Sequence, residues 1–127
     1  QPGHYARPAF SPDGRTLVFE RGQGGYLTSD RYSSDPGIYR VALAGGTPVR
    51  VSKEGALPQF GAGDDRIFMA VTAQGKRQLV STDLNGQARR THATGEMVNE
   101  FDVSPDGRFV AFRQNYQAFV MPLLPGT

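Results

Sequence analysis

A twelve-residue pattern occurs twice in this chain of 127 residues. Pro8-Ala9-Phe10-Ser11-Pro12-Asp13-Gly14-Arg15-Thr16-Leu17-Val18-Phe19 returns 93 residues later as Phe101-Asp102-Val103-Ser104-Pro105-Asp106-Gly107-Arg108-Phe109-Val110-Ala111-Phe112. A worn copy stands between them, Pro58-Gln59-Phe60-Gly61-Ala62-Gly63-Asp64-Asp65-Arg66-Ile67-Phe68-Met69, with Phe60 lying 50 residues after Phe10 and 43 before Val103. A period of roughly 40 to 50 residues constrains the fold more than any local signal, because each unit must bury its apolar face against the next.

Each copy has the chemistry of a hairpin. Proline presets the first turn dihedral, aspartate tolerates the bridge region and glycine takes the positive one. A second alternating pair follows each copy. In the first period it is Ile38-Tyr39-Arg40-Val41-Ala42-Leu43, then Ala44-Gly45-Gly46-Thr47, then Pro48-Val49-Arg50-Val51. Its counterparts are Leu79 to Leu84 with Asn85-Gly86-Gln87, and Phe119 to Leu123 with Pro125-Gly126-Thr127. Asn-Gly between alternating residues is a strong hairpin signal. Four short antiparallel strands per period, A to D, is the sequence form of a β-propeller blade.

The expected fold is therefore all-β: a partial β-propeller of about three four-stranded antiparallel blades, the last lacking its fourth strand. The blades fall at about residues 5–53, 55–94 and 97–127. Phe10, Val18, Phe19, Phe60, Phe68, Val103, Val110 and Phe112 are the apolar positions expected to press between neighbouring blades. Truncating one of them when buried, as in Phe60→Ala, costs roughly 3 to 5 kcal/mol. The middle copy has lost the Ser-Pro-Asp-Gly order, which predicts a longer or bulged hairpin there.

Composition narrows the function classes. Leu, Ile, Val and Phe together make about 22% of the chain, just above the level at which chains fail to bury a core. A net charge of +2 leaves little self-repulsion, so a folded chain is expected. The 14 basic residues are scattered among 12 acids, so no stripe for nucleic acid forms. The longest apolar run, Ile67 to Val71, is far short of the ~20 residues of a membrane span. With no cysteine, disulfides, cysteine-ligated zinc and a thiol nucleophile are excluded within these residues.

Ser11-Pro12-Asp13-Gly14-Arg15 and Ser104-Pro105-Asp106-Gly107-Arg108, each after an apolar strand end and before Leu-Val-Phe or Val-Ala-Phe, resemble the TolB-type, WD-repeat-like propeller blade. The resemblance covers almost the whole chain. The stretch Gly25-Tyr26-Leu27-Thr28-Ser29 through Asp35-Pro36-Gly37-Ile38-Tyr39-Arg40-Val41 most resembles the propeller part of TolB-like bacterial amidohydrolases. That resemblance implies a periplasmic or secreted setting and a ring that shapes access to a catalytic domain elsewhere. TolB itself, a periplasmic binding propeller, and the propellers of prolyl-oligopeptidase-like peptidases are the alternatives it leaves open.

Typical propellers close with 4 to 8 blades, so three leave two raw faces. The implied partners are the remaining blades of a longer chain or a second copy of this one, three blades plus three, and a hydrolase domain. The loops joining strands B to C and D to A share one rim. The conspicuous insertion there runs from Glu20 to Gly37, and its Arg21, Tyr26, Asp30, Arg31 and Tyr32 have the composition of a contact surface. His4, Tyr5, Glu54, His92, Glu96 and Asn99 are expected on the same rim. Glu100 and Asp102, alternate residues of an innermost strand, are expected to face the central channel beside Arg7 and Gln59. Such a channel suits a cation or a charged peptide end, or simply a wet arginine–carboxylate network.

Catalysis by these residues is not expected. His4 and His92 lie in different blades, without His-X-His or His-Glu-X-X-His spacing, so a metal site has little sequence support. No Gly-X-Ser-X-Gly elbow surrounds any serine. No cofactor is implied for this segment. The expected role is a non-catalytic propeller module of a larger bacterial hydrolase.

Overall fold

A computed structural model describes residues 4–22, 36–95, 98, 100–114 and 116–123. Among the described residues every regular element is a strand. The first sheet runs β1 (His4–Phe10), β2 (Thr16–Gly22), β3 (Gly37–Ala42), β4 (Val49–Ser52) in spatial order. The second runs β5 (Ala56–Phe60), β6 (Ile67–Ala73), β7 (Lys76–Thr82), β8 (Arg90–Thr94). The third holds β9 (Glu100–Val103), β10 (Phe109–Gln114) and β11 (Gln117–Pro122). Every pairing is antiparallel between chain neighbours. This is the A-B-C-D meander of the repeat, and the fold is a partial β-propeller.

The repeated turn closes as its residue types require. Ser11 Oγ donates to Asp13 Oδ1 at 2.6 Å and accepts from the Thr16 amide at 3.1 Å, while the Arg15 amide reaches Asp13 Oδ1 at 2.9 Å. Ser104, Asp106, Arg108 and Phe109 repeat this set at 2.7 to 3.0 Å. Gly14 and Gly107 both sit at φ 74°, in the left-handed region that glycine enters without a Cβ penalty. The middle copy is longer, as its sequence predicts: residues 61–66 join β5 to β6, where 11–15 and 104–108 suffice elsewhere.

Two separate apolar clusters flank the middle sheet, which distinguishes stacked blades from a two-layer sandwich with one shared interior. Successive side chains of a strand point to opposite faces. Ile67, Met69 and Val71 of β6, with Phe60 and Val80, pack toward the first sheet against Val18, Ile38 and Val51. Phe68 and Ala70, with Leu57 and Leu79, pack toward the third sheet against Phe101, Val110 and Phe112. Both faces of β6 are thus buried from Ile67 through Val71. Phe60 is buried, the condition under which its truncation is expected to be costly.

Polar bridges reinforce these seams. Arg40 Nε donates to the Leu84 carbonyl at 2.6 Å, joining the first sheet to the second. The Asp13 amide donates to Asp64 Oδ1 at 3.0 Å across the same seam. Arg77 Nε donates to the Val98 carbonyl at 2.9 Å. The Asn85-Gly86 turn is wider than a two-residue hairpin: residues 83–89 join β7 to β8, and Asp83 Oδ1 accepts from the amides of Asn85 and Gln87. Two expected core positions differ: Phe19 is only partly buried and joins neither cluster. Phe10 is 63% exposed, since among the described residues no sheet lies on its side of the first blade.

Candidate functional site

The innermost strands of the three sheets, β1, β5 and β9, converge on a cleft of about 310 Å3. Pro8 and Ala9 line it from β1, Leu57 to Gln59 from β5, Glu100 to Asp102 from β9, and Arg113 from β10. Three of the four channel positions read from the sequence therefore border one cleft. Arg7 belongs to β1, and its side chain lies outside the described residues.

Each of these groups has a distinct task. Gln59 Nε2 donates to the Phe101 carbonyl at 2.9 Å, and its Oε1 accepts from the Val103 amide at 2.7 Å. The side chain thus pairs with the β9 backbone as an extra peptide group would, clamping the second blade to the third. One of its two N–H donors and one of its two acceptor sites are spent on this clamp. Glu100 accepts from Arg113 Nη2, the residue directly opposite it in the β9–β10 ladder. Both side chains stay substantially exposed, so this is a wet ion pair of small net stabilising effect. Asp102 stands opposite Ala111 and brings a second carboxylate to the cleft. The arrangement can hold a small charged group or a peptide end in water-filled space.

Arg113 went unread in the sequence. The signal was present: a hairpin centred on Asp106-Gly107 sets Glu100 opposite Arg113, and opposite charges at facing positions attract.

The rim reading fares differently. Tyr26, Asp30, Arg31 and Tyr32 lie outside the described residues, as do Glu96 and Asn99. Arg21 belongs to strand β2 and not to the loop, because the ladder continues through it, opposite Tyr5 on one side and Gly37 on the other. Its guanidinium carbon lies 5.7 Å from the centre of the Tyr39 ring, which itself stacks on Phe19 at 5.9 Å. Its Nε is buried without a hydrogen-bond partner. Glu54 lies between β4 and β5, where its carbonyl accepts from Ser52 Oγ at 2.6 Å, and His4 and Tyr5 sit at the start of β1.

His92 is not on that rim. It stands within β8, its ring against Phe68 and its Nε2 2.7 Å from Ser81 Oγ. Ser81 is fully buried and also accepts from Arg66 Nη2 at 2.7 Å. A serine sealed in this way reaches no substrate, and the Ser-His contact reads as a buried polar bridge between strands. Among the described residues no three His, Cys, Asp or Glu side chains are grouped to hold a metal ion. No described helix is long and apolar enough to cross a membrane.

Inner strands converging on an axial cleft, with sheets stacked around it, define the propeller class, and solved structures place the chain more closely within it. The chain superimposes on a protein assigned as TolB in Agrobacterium tumefaciens with a TM-score of 0.65 and 19% identity, over 88% of this chain and 38% of that one. TolB from Acinetobacter baumannii gives 0.56 and 17%, over 90% and 39%. An acylaminoacyl peptidase from Pyrococcus horikoshii gives 0.66 and 13%, over 87% of this chain but 17% of the enzyme. The fold is that of a TolB-like β-propeller, and the chain spans less than two fifths of each of these proteins. No family model and no curated protein matches the sequence.

Proposed function

We propose that the chain is a non-catalytic propeller module of a larger bacterial hydrolase, amidohydrolase-like, whose axial cleft screens what reaches a catalytic domain joined to it. The observation that carries this reading is the cleft itself. Strands from all three blades line it, and Glu100, Asp102 and Arg113 give it charge. Similarity to the acylaminoacyl peptidase supports a module of this fold beside a hydrolase. The coding sequence past Thr127 is the most direct test. A downstream barrel carrying His-X-His supports the amidohydrolase, whereas a Gly-X-Ser-X-Gly elbow moves the assignment to a peptidase. The isolated 127-residue chain is expected to hydrolyse no amide substrate, and metal-dependent turnover by it would overturn the reading.

A second reading is a protein-binding propeller of the TolB type without an enzymatic partner. It is favoured by the two TolB structures among the neighbours, which share this topology over at least 88% of the chain. A coding sequence holding further blades and no catalytic motif would select it.

A further inference from the structure

The seam between the first and second blades is internal to the chain, and one dipeptide on it is chemically labile. Asn85-Gly86 is the sole Asn-Gly of the sequence, since Asn99 precedes Glu100 and Asn115 precedes Tyr116. Asparagine is a thermolabile residue, and a following glycine has no Cβ to shield its own nitrogen from the asparagine side chain. In that reaction the Gly86 nitrogen loses its proton and attacks Asn85 Cγ, the Cγ–Nδ2 bond breaks and ammonia leaves. The succinimide so formed takes up water at one of its two carbonyls. Hydrolysis at Cγ leaves aspartate in an ordinary chain, whereas hydrolysis at the former backbone carbonyl leaves isoaspartate, with the chain running through Cγ. Asn85 is exposed, so water is at hand.

The fold ties down both reacting groups. The Gly86 amide donates to the Asp83 carbonyl at 3.1 Å, and the flanking amides of Asn85 and Gln87 donate to Asp83 Oδ1 at 2.8 and 2.9 Å. From the first blade, Arg40 Nη2 donates to Asn85 Oδ1 at 3.3 Å while its Nε holds the Leu84 carbonyl at 2.6 Å. Gly86 itself is seated on β4, so closely that a Cβ there would meet the Val51 carbonyl oxygen at 2.0 Å. Bringing the Gly86 nitrogen onto Asn85 Cγ requires these bonds to open.

We propose that Asn85 is a site of spontaneous covalent modification whose rate is set by opening of this seam. The docked turn withholds the Gly86 nitrogen, and each opening frees it to react. The two products differ in fit. Aspartate places a carboxylate where Arg40 already donates, and the seam keeps that contact. Isoaspartate inserts an extra backbone atom between the anchored amides of residues 85 and 86, so the turn cannot reseat on β4. The inference stands on the seam and not on the hydrolase reading, so either can fail without the other.

Incubation of the 127-residue chain at neutral pH, in buffer and in denaturing urea, tests it by peptide mass mapping around Asn85. Loss of Asn85 is expected to be about tenfold slower or more in buffer, and the slowdown to match the hydrogen-exchange protection of the Gly86 amide within about threefold. Arg40→Leu is expected to raise the rate in buffer about threefold or more with the circular dichroism spectrum unchanged. Should that variant misfold, the comparison with hydrogen exchange in the parent chain decides alone. Equal rates in buffer and urea, a slowdown that does not follow the Gly86 protection, or an Asn85 that stays intact in urea overturns the proposal. Chain enriched in isoaspartate, scored by enzymatic methylation of its free carboxyl, is expected to have a lower urea midpoint, and Asn85→Asp to keep the parent's. An isoaspartyl chain as stable as the parent overturns the assigned misfit.

Discussion

Asp13 and Asp106 each accept from a serine hydroxyl and from the amide two residues on, and these bonds hold both carboxyls below the ordinary value of 3.8. The amides of Gln87 and Asn85 lower Asp83 in the same direction. The unfolded chain therefore binds more protons than the folded one, so stability rises with pH across this range. The contribution is fully present above the unfolded-state value and disappears as pH falls through the lowered folded values. The urea midpoint is expected to be level above about pH 5 and to decline below about pH 4, with a shallower decline in an Asp13→Asn/Asp106→Asn double variant. Gln59 acts through a different bond. Gln59→Leu strands the Phe101 carbonyl and the Val103 amide, and is expected to lower stability by about 1 to 3 kcal/mol in urea unfolding. Gln59→Glu keeps the acceptor for Val103 but sets a carboxylate oxygen against the Phe101 carbonyl, so it too is expected to lower the midpoint. The sequence placed Gln59 beside the channel but gave no hint of this clamp, which depends on how closely two blades approach.

Strands and turns were the most legible level, because period-2 alternation and turn chemistry are local. The Ser-Pro-Asp-Gly turns and the order of the strands follow from residue types within five or six positions of one another. Arg21 was misplaced for the opposite reason: a polar side chain next to glycines has a loop composition, yet the ladder with Tyr5 and Gly37 carries the strand through it. His92 was misplaced because a buried polar bridge depends on Ser81 and Arg66, distant in the chain. The wide turn after β7 yields a prediction of its own. Gly86 has φ 80°, and a Cβ there would meet the Val51 carbonyl oxygen at 2.0 Å, so the turn of the second blade presses on β4 of the first. Gly14 has a similar φ of 74° and open space around it. Gly14→Ala is expected to cost about 1 kcal/mol from backbone strain alone. Gly86→Ala must also displace a strand, and thermal unfolding should show a clearly larger drop in Tm than Gly14→Ala produces.

Across the whole molecule, stability is distributed as in stacked-repeat proteins, by contacts between neighbours. The middle blade, buried on both faces, is expected to hold the slowest-exchanging amides, with Met69, Ala70 and Val80 protected longest in hydrogen exchange. Strand β11, exposed along most of its length, should exchange fastest among the described strands. The axial cleft was partly readable, because alternation along β9 and the repeat together put Glu100 and Asp102 near the axis. The rim was less so, since an insertion has no counterpart in the other periods to compare it with. The eroded turn of the second blade bears on any effort to regularise this protein. Its Asp64 carboxylate receives the Asp13 amide, and its Ala62 methyl lies where a Cβ on Gly107 would come to 2.8 Å. An engineer averaging the three periods would restore Ser-Pro-Asp-Gly there and produce a more uniform chain. That averaging would also erase the two contacts by which this loop touches its neighbours on either side, so the irregular segment is the one to leave untouched.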